Sequence, residues 1–139
     1  MNIPELIHHR HAGCLRVVFV SHWSETVDEI LPQLGLAAEP TCLRQVERGD
    51  AIATIETILW KDLAYSQELM PRATARLYAE DFIREFAEDG CVIYSNADWK
   101  GHHESFSSSW DPMTPATFDA GIVIVNFASA VCLWVEDED

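Results

Sequence analysis

Six apolar residues, Ala75, Tyr78, Ala79, Phe82, Ile83 and Phe86, fall at i, i+3, i+4, i+7, i+8 and i+11. That spacing is the stripe of an amphipathic α-helix, and the apolar side has to lie on something. Arg72, Arg76, Glu80, Glu85 and Glu88 populate the rest of the segment, Pro71 suits the first turn, and Gly90 suits the C-terminal cap. The chain that follows supplies the other half of the core. Residues 91–94, 105–110, 121–125 and 131–135 are β-rich runs separated by Ser95-Asn96, Asp111-Pro112, Asn126 and Ser129. The last two are close enough to form a hairpin around residues 126–130.

Upstream, residues 13–20 are apolar and β-branched and predict a central strand joining the same sheet. Residues 24–31 predict a helix capped by Ser24 or Thr26, with Glu25, Asp28 and Glu29 at its positive end and Pro32 with Gly35 closing it. Residues 49–59 predict a second helix, and 60–70 stay open between helix and strand. Strands clustered after helices give an α+β fold: an antiparallel sheet of about five strands with two or three helices packed on one face. With no linker, repeat or low-complexity tract, residues 1–139 read as one domain. A chain of 139 residues buries roughly two thirds of its unfolded surface and needs no disulfide framework or structural metal.

Cys14, Cys42, Cys91 and Cys132 form no CxxC pair, and three of them lie in apolar runs, which predicts reduced core thiols. The N-terminal residues carry Pro4, Glu5 and three histidines in place of an apolar leader, and no 18-residue apolar run occurs. The expectation is a cytoplasmic protein that does not engage a membrane.

Phosphate-loop, dinucleotide, nucleophile-elbow, zincin and EF-hand motifs are absent. Histidines fall in two clusters: His8, His9 and His11 near the start, where positions 8 and 11 could share one helical face, and His102-His103 beside Glu104. The second, with a carboxylate such as Asp98, is the basis for a metal-dependent hydrolase. Adjacent histidines, however, point in different directions. Asp62, Glu68, Asp98, Asp111 and Asp119 would serve a carboxylate-dependent hydrolase only if two of them shared a cleft. No catalytic residue, metal or cofactor is expected.

Charge is the more informative property. There are 23 acids against 9 Lys and Arg, a formal net charge of −14, which repels nucleic acid. Beyond Lys100 come Glu104, Asp111, Asp119, Glu136, Asp137, Glu138 and Asp139 with no base to offset them, close to Trp99 and Trp110. Unbalanced acid beside tryptophan can form a face for a basic protein, since charge speeds encounter by ~10 to 10³-fold and aromatics anchor the contact. The expected function is therefore a small acidic binding protein of the immunity or antitoxin type that neutralises a basic toxin or effector. Asp98, Trp99, Trp110, Asp111, Asp119 and residues 136–139 would form the contact. Lysine at Asp111 and Asp119 should then cost more binding than lysine at Glu5 and Glu25. The alternatives are an acidic secretion chaperone, with a homodimer possible, and the small hydrolase.

Overall fold

The computed structural model describes residues 1–105 and 109–139. In chain order they form α1 (Ile3–His9), β1 (Cys14–Ser21), α2 (Val27–Gln33), β2 (Arg44–Val46), α3 (Arg48–Trp60), α4 (Arg72–Phe86), β3 (Val92–Ser95), α5 (His102–Ser105), β4 (Phe118–Val125) and β5 (Ser129–Asp137). The strands make one antiparallel sheet in the order β1-β5-β4-β3-β2, and the fold is α+β. β4 and β5 are joined by the expected tight hairpin, with Val125 opposite Ala130.

Local chemistry explains the helix ends. Thr26 and Glu29 form a reciprocal capping box at the start of α2. Pro32 sits inside its last turn, and Gly35, at φ +80°, closes it with Leu36 N–H to Leu31 O and Gly35 N–H to Pro32 O, both 3.0 Å. α4 covers the predicted stripe, but the chain leaves it at Ala87, so Gly90 belongs to the turn into β3. The helix expected at 49–59 is α3. Its pattern was ambiguous because it is buried on several sides, packed against α4 as well as against β3 and β4. Of residues 60–70, Trp60 ends α3 and the rest are neither helix nor a full strand: a single bridge joins Lys61 to Glu68 around a tight turn.

Apolar layers cover both faces of the sheet. Ile122, Ile124, Val131, Leu133 and Val135 meet α1, α3 and α4 through Leu6, Ile55, Ile58, Leu59, Phe82 and Ile83. On the other side Val123, Ala130, Cys132 and Trp134 meet Ile30, Leu31 and Leu34 of α2, with Leu36 and Met113. Each fully buried side chain of this size is worth about 1.5–3 kcal/mol. This is why the runs in β4 and β5 do not alternate. Gly121 faces Trp134 in the register, and a Cβ there would come within 2.6 Å of the indole Cε3 and collide with the Leu133 carbonyl.

Two strand expectations are corrected. β1 is an edge strand, not a central one; its apolar content serves the partial cover it receives on each face, and Phe19 stays more than half exposed. The run 105–110 is not the fifth strand. Ser105 ends α5, Ser109 and Trp110 lie outside any strand, and 106–108 fall outside the described residues. The fifth strand is β2, three residues long.

Candidate partner-binding surface

The residues expected to form the contact divide into an interior set and an exposed set. Trp99 is fully buried, donating Nε1–H to Asn96 Oδ1 at 3.1 Å. Its ring packs on Trp110 at 5.3 Å between centroids, and Trp110 stacks on Phe118 at 5.2 Å. Asp119 is also fully buried. It accepts from Met113 N at 3.0 Å, Trp134 Nε1 at 3.1 Å and Asn96 Nδ2 at 3.3 Å, and burial pushes its carboxyl above the ordinary range despite these donors. Asp137 is clamped by Arg10, and Glu136 pairs with Arg16. The expectation that Trp99, Asp119 and Asp137 meet a partner is thus corrected. Each satisfies an internal polar group or fills the core, and Glu136 is half-buried and already compensated. Lysine at Asp119 would test folding, not binding.

Asp98, Asp111, Glu138 and Asp139 are exposed. Asp111 is held on Asn96, its N–H donating to the Asn96 carbonyl at 3.2 Å and its carbonyl accepting from Asn96 Nδ2 at 3.1 Å, while Asp98 accepts from Lys100 N at 3.1 Å. Glu138 accepts from the Thr117 N–H and hydroxyl. Acid is therefore present here, but the nearby aromatic rings are packed inward.

Apart from Tyr65, 64% exposed in the turn after α3, the most accessible rings lie at the opposite end of the sheet. Trp23 is 89% exposed, Phe127 93% and Phe19 56%. The hairpin turn brings them together. His22 N donates to the Ala128 carbonyl at 3.0 Å, and His22 Nε2–H reaches the Asn126 carbonyl at 2.9 Å. Asn126 in turn donates Nδ2–H to the Phe86 carbonyl at 2.8 Å and accepts from Glu88 N at 3.1 Å, while Phe19 packs on Phe86 at 6.4 Å. Asn126 thus ties the β4–β5 turn to the end of β1 through its carbonyl and to the end of α4 through its side chain.

Acid surrounds these rings. Glu25 accepts from the Trp23 and Ser24 N–H groups, which holds its carboxyl below the usual range. Asp28 and Glu29 follow in the first turn of α2, and Glu88 and Asp89 follow α4. None of these five makes an ion pair among the described residues. Nearby cations are committed: Arg84 pairs with Asp81, and Arg48 donates to the carbonyls of Ala87 and Glu88. A cavity of about 350 Å³ lined by Val46, Glu47, Arg48, Glu88 and Ile93 shares Glu88 with this end. Sequence reasoning missed these rings, although Phe127 between Asn126 and Ala128 signals an aromatic at a turn tip with no sheet beneath it.

The hydrolase residues separate in a similar way. His102 is buried, with Nε2 2.9 Å from the Leu63 carbonyl; His103 faces Thr57 and Ser66; Glu104 is exposed. Among the described residues no three His, Cys, Asp or Glu side chains converge as metal donors. Asp62 is occupied with its own turn, accepting from Tyr65 N and Gln67 N. No helix among the described residues is long and apolar enough to cross a membrane. No family model, no curated protein and no solved structure matches this chain.

Proposed function

We propose that this chain is an acidic binding protein of the immunity or antitoxin type, which neutralises a basic protein by docking the hairpin end of its sheet onto it. The observation that carries this reading is the pair of nearly fully exposed rings, Trp23 and Phe127, bordered by the uncompensated Glu25, Asp28, Glu88 and Asp89. An exposed cluster of large aromatics costs solubility unless something covers it. Acid around it selects a cationic cover and speeds its arrival. Asp98, Asp111, Glu138 and Asp139 at the far end add to the field that steers the partner without providing its anchor.

The test is affinity capture from the native cell, identification of the captured protein, and its binding kinetics against salt. The expected partner carries a cationic surface. Trp23→Ala and Phe127→Ala each weaken its binding by tenfold or more, chiefly through faster dissociation. Asp89→Lys and rising salt slow association. Unaltered binding in both aromatic variants would overturn the proposal. So would capture of unfolded segments with little salt dependence, which is the behaviour of a secretion chaperone. Dimerisation that is lost in Trp23→Ala would instead make this end a self-association face.

A further inference from the structure

Ser66 is the one non-glycine residue at positive φ, +54°, among the described residues. A tight turn holds it there: Asp62 accepts from Tyr65 N and Gln67 N through its carboxylate and from Ser66 N through its carbonyl. Backbone strain of this kind persists only where the surroundings enforce it, and it recurs at reactive positions. The Ser66 hydroxyl lies 2.7 Å from Nδ1 of His103. Nε2 of the same ring is 2.9 Å from the carbonyl of Thr57, one of the open carbonyls at the C-terminal end of α3.

A carbonyl can only accept, so Nε2 carries the ring proton and Nδ1 turns its lone pair toward Ser66. The hydroxyl then donates to the imidazole. This is the order nucleophile, base, orienting group, with a main-chain carbonyl in the third role. Burial pushes His103 below 6.5. Lys61 and His102 act in the same direction, the Thr57 carbonyl and Glu104 oppose it, and the net result is a neutral base at pH 7. Trp60 packs edge-on to the imidazole at 5.7 Å and carries Lys61 Nζ over its ring at 4.2 Å. Lys61 makes no ion pair among the described residues, whereas Arg72, on the same indole, is held by Glu56. Ser66 itself is partly exposed and reachable from solvent.

The geometry points to Ser66 and His103 as a nucleophile and base that accept the acyl group of a small activated carboxylic ester. Ser66 Oγ forms the bond to the ester carbonyl carbon while its proton passes to His103 Nδ1. The tetrahedral adduct expels the alcohol, which takes that proton. Water then attacks the acyl-serine and gives a proton to His103 Nδ1, which passes it to the departing Ser66 Oγ as the carboxylic acid is released, so that the hydroxyl and the neutral imidazole are both restored.

The experiment uses the intact protein with 4-nitrophenyl acetate, following nitrophenolate release and mapping acetylated peptides. We expect acetyl on Ser66 and a rate that rises with pH through one titration below that of free imidazole. Ser66→Gly and His103→Gln should each lose about 10²-fold or more. Glycine tolerates the positive φ, so Ser66→Gly separates loss of the nucleophile from loss of the fold. Leu77→Ala, on the exposed side of α4, should leave the rate unchanged. Acetylation confined to lysines or the N-terminus, or an unchanged rate in Ser66→Gly, would overturn the proposal and leave the Ser66–His103 bond as a loop tether.

Discussion

Arg10 and Asp137 stand 127 residues apart and meet in a two-pronged ion pair, Nη2 to Oδ2 at 2.7 Å and Nη1 to Oδ1 at 3.0 Å, with both side chains withdrawn from solvent. The same guanidinium caps α3 through the Ile58 carbonyl at 2.8 Å, and Asp137 also accepts from Leu63 N at 2.9 Å. Four segments are thereby fixed at one point: the end of α1, the end of α3, the turn after it, and the end of β5. Asp137→Asn removes the counter-charge and leaves a guanidinium buried. Urea denaturation should show a loss of about 3–5 kcal/mol. A loss below about 1 kcal/mol would mean that water reaches the pair.

Trp23 and Trp99 should behave as opposites. Trp99 is enclosed by Trp110, His102 and the Asn96 carboxamide, so Trp99→Ala should cost about 3–5 kcal/mol. Trp23→Ala should change stability by no more than about 0.5 kcal/mol, because the ring touches little in the free protein. Acrylamide quenching offers a second readout: the most accessible fluorescence component should vanish in Trp23→Phe and persist in Trp99→Phe.

The four thiols should alkylate in order of access. Cys14 is exposed, Cys42 and Cys91 are intermediate, and Cys132 is buried with its thiol pushed up to about 11. At pH 8 roughly a thousandth of Cys132 is thiolate, so iodoacetamide should modify it last, and only after the sheet opens. Peptide mapping over time checks the order. Early labelling of Cys132 would mean that α2 does not stay on its face of the sheet.

What could be read from the chain depended on whether a signal was local. The α4 stripe, the Thr26 cap and the hairpin at Asn126 are local, and all three appear as read. β2 escaped because Arg44-Gln45-Val46 has no pattern of its own and is a strand only through β3. Glu136 and Asp137 read as free surface acid for a related reason. Arg10 and Arg16, which offset Asp137 and Glu136, lie more than a hundred residues upstream, so a charge tally along the chain cannot pair them. Trp99 is not a surface anchor because Trp110 and His102 close around it, while Trp110, stacked on Phe118, is partly buried. The Ser66–His103 contact likewise joins a turn and the short α5, which share no spacing.

The response of stability to acid should expose Asp119. Burial raises its folded carboxyl above the unfolded value of 3.8, with Glu136 acting in the same direction, while the N–H groups of Met113 and Thr114 and the Trp134 indole oppose the shift. A raised carboxyl means that the native state binds the proton more readily than the unfolded chain. The penalty for keeping Asp119 ionised is therefore fully present above its folded value, and it is relieved as pH falls from there toward 3.8. Asp119→Asn does not titrate and keeps one oxygen for the Trp134 and Met113 donors, so it supplies the reference. Between pH 7 and pH 4 the difference in unfolding free energy between the two proteins should drift in favour of the natural residue, even as both lose stability from other carboxylates. A drift in the opposite direction would show that the donors around Asp119 outweigh its burial.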